Sequence, residues 1–240
     1  MSGLLVAFAI VLVAAVAQAV SGFGFALVAV PLLAVTTDAR TAVVAAALPS
    51  LALTLVTMLR ERRHIRWRTT ALVAASALLG APLGLLLLVV TPDRLLTALI
   101  AVMVLGCTVL VWSGVRMHAG PGVVGAVGVL CGVLTTAVGT NGPPLVAALH
   151  ALGYDPRTFR ATLAAIFTGT GSIGLVGFLA VGQVHGDALR IGVLGIPAVA
   201  LGWWLGNLIF ARIGPVVFRR VMLVGLTASA GAAIARSLTG

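Results

Sequence analysis

Two stretches of this chain run without a charged residue for longer than any single membrane helix can use. Residues 1–37 contain no Asp, Glu, Lys or Arg, and neither do residues 117–154. As one α-helix either would be about 55 Å long at 1.5 Å per residue, against a hydrocarbon core of about 30 Å. Each must therefore break, and each has an obvious place to do so. The first holds Ser21-Gly22-Phe23-Gly24-Phe25, the second Gly139-Thr140-Asn141-Gly142-Pro143-Pro144. Glycine permits the turn, and proline denies the helix its hydrogen bonds.

Lipid is the solvent in which such a chain makes sense. Charged residues are 8% of the 240 and hydrophobic ones 61%, where a soluble domain carries about 25% charge. Too little polar surface remains to cover a globule, so a polytopic membrane protein is expected. The net charge of +10 comes from fifteen basic residues, all arginine, most of them in short gaps between apolar runs. That pattern encodes topology, not a phosphate-binding patch, and argues against a nucleic-acid partner. Cys107 and Cys131 lie inside apolar runs and are expected to pack as small hydrophobes. Leu4 to Val16, followed by Ala17-Gln18-Ala19, imitates a signal peptide, but no positive residue precedes it, so it is read as retained structure.

Between the charges lie apolar segments of spanning length at 41–59, 69–90, 94–113, 161–181, 191–210 and 216–235. The two broken stretches read as copies. At an offset of 117 residues Gly22 falls on Gly139, and Asp38-Ala39-Arg40-Thr41 on Asp155-Pro156-Arg157-Thr158. Further on, Gly80 and Gly84 match Gly202 and Gly206. Two repeats are expected, 1–116 and 117–240, together forming one transmembrane domain. Each would hold one broken or re-entrant element and three transmembrane helices. The whole is an all-α polytopic membrane protein of about eight helical elements.

The arginines decide the relative direction of the halves. If each broken stretch crosses the membrane once, the arginines divide almost evenly between the two sides. If each returns to the side it came from, eleven fall inside and four outside. The positive-inside rule selects the second arrangement. Each half then makes an odd number of crossings, so the halves are inverted, with loops 60–68, 153–160 and 211–220 cytoplasmic. Re-entrant hairpins and pairs of short spans give the same parity.

Inverted repeats with interrupted helices are the usual architecture of secondary transporters, with substrate held where the breaks meet. Irregular backbone at that depth is tolerated only where it faces protein or water. The chemistry of the breaks points to an anion. Helices starting near Phe25 and Pro144 would present free amides, and helix N-termini attract negative charge. Pro143 and Pro144 suit a first helical turn. The substrate-binding candidates are Gln18, Ser21, Gly22, Phe23, Gly24, Phe25, Thr136, Gly139, Thr140, Asn141, Gly142 and Pro143. Gln18 and Thr136 lie one turn before the breaks, and interhelical hydrogen bonding is the alternative role for both.

Asp38, Glu61, Asp93, Asp155 and Asp187 all fall in loops or at helix ends, which disfavours an acidic proton relay. Asp38 with Arg40 and Asp155 with Arg157 read as helix caps or local ion pairs, with gating as the alternative. His150, inside a broken element, is a packed histidine or a proton carrier. The Arg60–Arg68 run sets topology and could gather anions at the cytoplasmic mouth. Gly80-x-x-x-Gly84 and Gly202-x-x-x-Gly206 let helices approach closely. No catalytic constellation or metal cluster is present in the sequence, so no enzyme activity, metal or other cofactor is expected.

Ser21-Gly22-Phe23-Gly24-Phe25 followed by Pro31-Leu32-Leu33 resembles the first signature of the TauE/SafE sulfite exporter family, a group of permease-like anion transporters. Gly139 to Pro144, followed by Leu152-Gly153-Tyr154-Asp155-Pro156-Arg157-Thr158-Phe159-Arg160-Ala161, resembles its second. The ordered pair spans nearly the whole chain. One departure stands out: Phe23 and Phe25 interrupt what is often a run of glycines at the first break. The resemblance implies a multi-pass exporter in the bacterial inner membrane. Its substrates would be sulfite or related anions such as sulfoacetate or thiosulfate, moved by alternating access. The expected partners are a small anionic substrate and the lipid bilayer, with a homodimer left open. The rival readings are an anion channel or importer using the same site, and a non-transporting membrane assembly subunit.

Overall fold

A computed structural model describes residues 2–113 and 120–210. The repeat boundary near 116, the span at 216–235, the loop 211–220 and the arginines at 116, 212, 219, 220 and 236 lie outside the described residues. So do the side chains of Ser21 and Cys107.

The described chain folds into nine α-helices and no strand: α1 Ser2–Ser21, α2 Phe25–Thr36, α3 Ala39–Glu61, α4 Trp67–Val90, α5 Asp93–Ser113, α6 Pro121–Val138, α7 Gly142–Ala151, α8 Pro156–Ala180 and α9 Gly186–Phe210. A single 3-10 turn, Arg62–His64, joins α3 to α4. Residues 39–64, 67–90, 156–180 and 186–206 are long and apolar enough to cross a membrane.

Both uncharged stretches break where the glycines require it. Residues 22–24 separate α1 from α2, and residues 139–141 separate α6 from α7. Gly22 (φ 80°), Gly24 (φ 104°) and Gly139 (φ 73°) adopt left-handed backbone that L side chains rarely take. The two pieces of each stretch are unequal. With 20 and 18 residues, α1 and α6 are about 30 and 27 Å long. With 12 and 10 residues, α2 and α7 reach only about 18 and 15 Å.

Tight packing follows the small residues. Along α4, Gly80 and Gly84 lie against α6, where a Cβ would collide with the carbonyls of Val129 and Val133. Along α9, Gly202 and Gly206 lie against α1 at Leu12, Ala15, Val16 and Ala19. The contact on α6 is the contact on α1 displaced by 117 residues: Val129 stands where Leu12 does, Val133 where Val16 does, and Thr136 where Ala19 does. The opposite face of α4 is no less apolar, but Leu78, Leu79, Leu83 and Leu86 are exposed there. Such a face suits lipid, where apolar surface carries no penalty.

Side-chain caps order the two ends of the bundle. At one end Asp38 begins α3 by accepting the Thr41 amide (2.8 Å), and Asp93 accepts the Ala39 amide (2.7 Å). The Arg40 guanidinium donates to the carbonyls of Leu88, Val89 and Thr91, closing the C-terminus of α4. At the far end of α3, the Arg66 amide donates to Thr162 Oγ1 (3.1 Å), and the Thr69 and Tyr154 hydroxyls lie 2.8 Å apart. Segments 62–69 and 153–162 therefore share the end of the bundle opposite Asp38.

Candidate functional site

The two breaks meet inside the bundle. Phe23, in the first, is half-buried and packs against both large apolar clusters of the molecule. It lies over the start of α7, where a Cβ on Gly142 would stand 3.4 Å from Phe23 Cδ2. Gly139 in turn faces Val30 of α2 and Val43 of α3. Gln18, Gly24, Phe25, Thr140, Asn141, Gly142 and Pro143 are all buried. Of the candidate residues, the breaks and Gln18 are thus gathered into one region.

The free amide expected at Phe25 is not free. Gln18 Oε1 accepts it at 3.1 Å, and the bond is buried. A side chain one turn back in α1 thereby caps α2 across the break, satisfying a donor that a helix N-terminus leaves unpaired. At the second break Asn141 precedes α7 without capping it through its side chain. Its Nδ2 donates instead to Thr170 Oγ1 of α8 (3.1 Å). The Asn141 carbonyl lies 3.7 Å from the sulfur of buried Cys131.

Other candidates stand elsewhere. The Thr136 hydroxyl is committed to the carbonyls of Ala81 and Gly132, both at 2.9 Å, and so ties α6 to α4. His150, expected to pack inside a broken element, is exposed at the end of α7. Its ring stacks on Phe159 with centroids 4.5 Å apart, because α7 starts at the buried break and its ten residues carry the last turn outward by about 15 Å. Asp38 and Asp155 are N-caps. Asp155 accepts the amides of Arg157 and Thr158 at 3.1 Å, while the Arg157 side chain is exposed. Hydrogen bonding from the Thr158 side chain and amide holds the Asp155 carboxyl below the ordinary carboxylate range. For Asp38, burial pushes the carboxyl up, but hydrogen bonds from Thr41 and the charge of Arg40 outweigh it and lower the net value.

A residue outside the candidate set completes the picture. Beside the first break lies a small cavity of about 10 Å³, lined by Gln18, Gly22, Leu53, Thr57, Arg160 and Ala164. That is room for about one water. The Arg160 Nε is buried and has no hydrogen-bond partner. The Arg160 stem passes Gly22, whose Cβ would lie 3.7 Å from Arg160 Cγ. In the sequence Arg160 reads as one of several topology-setting arginines. Its place in the second signature, Phe159-Arg160-Ala161, is the signal that could have marked it.

Comparison with known proteins gives concordant results. The family described as Sulfite exporter TauE/SafE matches residues 7–233. A protein of Cupriavidus necator named "Probable sulfite/organosulfonate exporter TauE" is 26% identical over 226 residues, covering 88% of this chain and 87% of that protein. No solved structure matches the chain.

Proposed function

The chain belongs to the sulfite exporter TauE/SafE family, membrane transporters and not enzymes, and from that membership we propose that it exports small sulfur-containing anions across the bacterial inner membrane. Sulfite is the leading substrate, with sulfoacetate and thiosulfate as further members of the class. The organosulfonate in the name of the Cupriavidus necator relative supports that breadth. The anion is held where the two broken helices meet, and the protein works by alternating access between two inverted halves, 1–116 and 117–240, as a monomer or a homodimer.

One observation carries the reading: two glycine-broken helices converge inside an apolar bundle, Phe23 of one over Gly142 of the other. Irregular backbone is tolerated at such depth only where it lines a site or packs on protein. The inverted halves draw support from the packing. Helix α4 lies on α6 as α9 lies on α1, through α1 and α6 residues 117 apart and glycines 122 apart. The caps Asp38 and Asp155 occupy equivalent sequence positions, yet segment 153–162 gathers at the end of α3 remote from Asp38.

Energetics follow from the charge of the cargo. An inside-negative potential favours outward movement of a monovalent anion by about 2.3 kcal/mol per 100 mV. Among the described residues the five carboxylates stand at helix ends and in caps, so export driven by the potential alone needs no acidic relay.

The test is purified protein in liposomes, loaded with sulfite, thiosulfate, sulfoacetate, sulfate or acetate. Saturable efflux of the sulfur oxyanions in preference to acetate is expected. Efflux that never saturates would replace the carrier with a channel, and no transport of any anion would leave a non-transporting subunit.

A further inference from the structure

We infer that the two breaks are not equivalent: the anion is bound at the first alone, against the guanidinium of Arg160, and the second is its uncharged counterpart. This rests on the anion-export reading and adds to it where the countercharge stands.

The repeat itself makes the comparison. From α1 to α3, residues 117 apart are equivalent, so Gln18, Gly22, Leu53 and Thr57 of the first site correspond to Thr135, Gly139, Thr170 and Gly174 at the second. The relation also runs backwards from α8 to α3, and Arg160 corresponds to Val43. Both predicted contacts exist. A Cβ on Gly22 would meet Arg160 Cγ at 3.7 Å, and a Cβ on Gly139 would meet Val43 Cγ1 at 3.4 Å. The same glycine turn thus faces a cation in one copy and an isopropyl group in the other.

The donors differ in the same direction. At the second break, residues 143 and 144 are both proline, so two amides of the first turn of α7 do not exist. Gly142 lies beneath Phe23, and the Asn141 amide group is occupied by Thr170. Gly139 meets Val30 and Val43, both uncharged. At the first break, Gln18, Thr57 and Arg160 line one cavity, and Arg160 Nε is buried with no hydrogen-bond partner. Arg160 is half-buried, and its Nε, withdrawn from water, calls for an acceptor in the cavity, a role that a water or an anion fills. A guanidinium also matches an oxyanion in geometry, through parallel donors. The cavity holds about one water, so a sulfite-sized anion enters by displacing the half-buried Arg160 side chain while Gln18 stays on the Phe25 amide.

The asymmetry has a direction. Thr57 near the end of α3 and Arg160 near the start of α8 place the cavity toward the end shared by segments 62–69 and 153–162. In the proposed orientation that end is cytoplasmic. The cation stands on the side from which an exporter loads, and the equivalent position toward the other side is Val43, which cannot hold the departing anion by charge.

The experiment titrates purified protein with sulfite and follows thermal unfolding of each variant in parallel. Arg160→Gln should weaken binding at least tenfold, Arg160→Lys should fall between it and the parent, and Val43→Ala should bind like the parent. Parental affinity in a folded Arg160→Gln protein, or loss of affinity in a folded Val43→Ala protein, overturns the inference and leaves the export reading standing. If Arg160→Gln does not fold, Arg160→Lys and Thr57→Val decide, and unchanged affinity in both overturns it. A parent protein that binds none of sulfite, thiosulfate and sulfoacetate fails the export reading, and the inference with it.

Discussion

Gln18 and Phe25 are joined across the first break by a buried hydrogen bond, the side-chain carbonyl of one accepting the amide of the other at 3.1 Å. The bond gives Gln18 two separate duties. It caps α2, and it lines the cavity that Arg160 shares.

The two duties can be separated by substitution. Gln18→Ala leaves a buried amide unsatisfied and should destabilise the protein by about 1–3 kcal/mol. Gln18→Glu keeps an acceptor for Phe25 but adds a negative charge beside the anion, so it should lose anion binding more completely than it loses stability. Thermal unfolding and sulfite titration of both variants check this. Equal binding by the Glu variant and the parent would remove Gln18 from the site.

Glycines that look alike in sequence should respond differently to a methyl group. Gly84→Ala forces a Cβ into the Val133 carbonyl and the Thr136 side chain, and Gly202→Ala into Leu12 and Ala15. Each should cost about 1–3 kcal/mol through overpacking. Gly106 of α5 has open space where its Cβ would be, so Gly106→Ala should be neutral or stabilising by up to about 1 kcal/mol. Melting temperatures in one detergent compare all three directly.

Topology is testable at residues the fold leaves accessible. Thr158 is buried, so a cysteine there would resist labelling from either side. Arg68, Arg157 and His185 are exposed. In a background lacking Cys107 and Cys131, a membrane-impermeant thiol reagent added outside should label His185→Cys and spare Arg68→Cys and Arg157→Cys. Labelling of Arg157→Cys with protection of Arg68→Cys would defeat the inverted arrangement.

Export should follow the membrane potential. In proteoliposomes at equal pH on both sides, a potassium-diffusion potential, negative inside, should drive sulfite out, because the field acts on the anion itself. His150 is exposed and stacked on Phe159 and does not line the cavity, so His150→Gln should retain that efflux. Accumulation driven by a pH step alone, and abolished by His150→Gln, would establish proton coupling instead.

The lipid solvent and the positions of the two breaks were legible in the chain alone. Uncharged runs too long for a bilayer, interrupted by Gly22, Gly24 and Gly139, leave the chain one place to turn, because backbone geometry and hydrocarbon thickness are local constraints. The offset of 117 was legible for the same reason. Packing, in contrast, selects which face of each helix meets protein. In lipid the buried face of α4 at Gly80 and Gly84 is no more apolar than the exposed one at Leu79 and Leu83, so hydrophobic periodicity does not mark it. For that reason Arg160, 138 residues from Gly22 in the chain, read as a charge outside the membrane, and only the packing of α8 against α3 and the first break turned it toward the cavity.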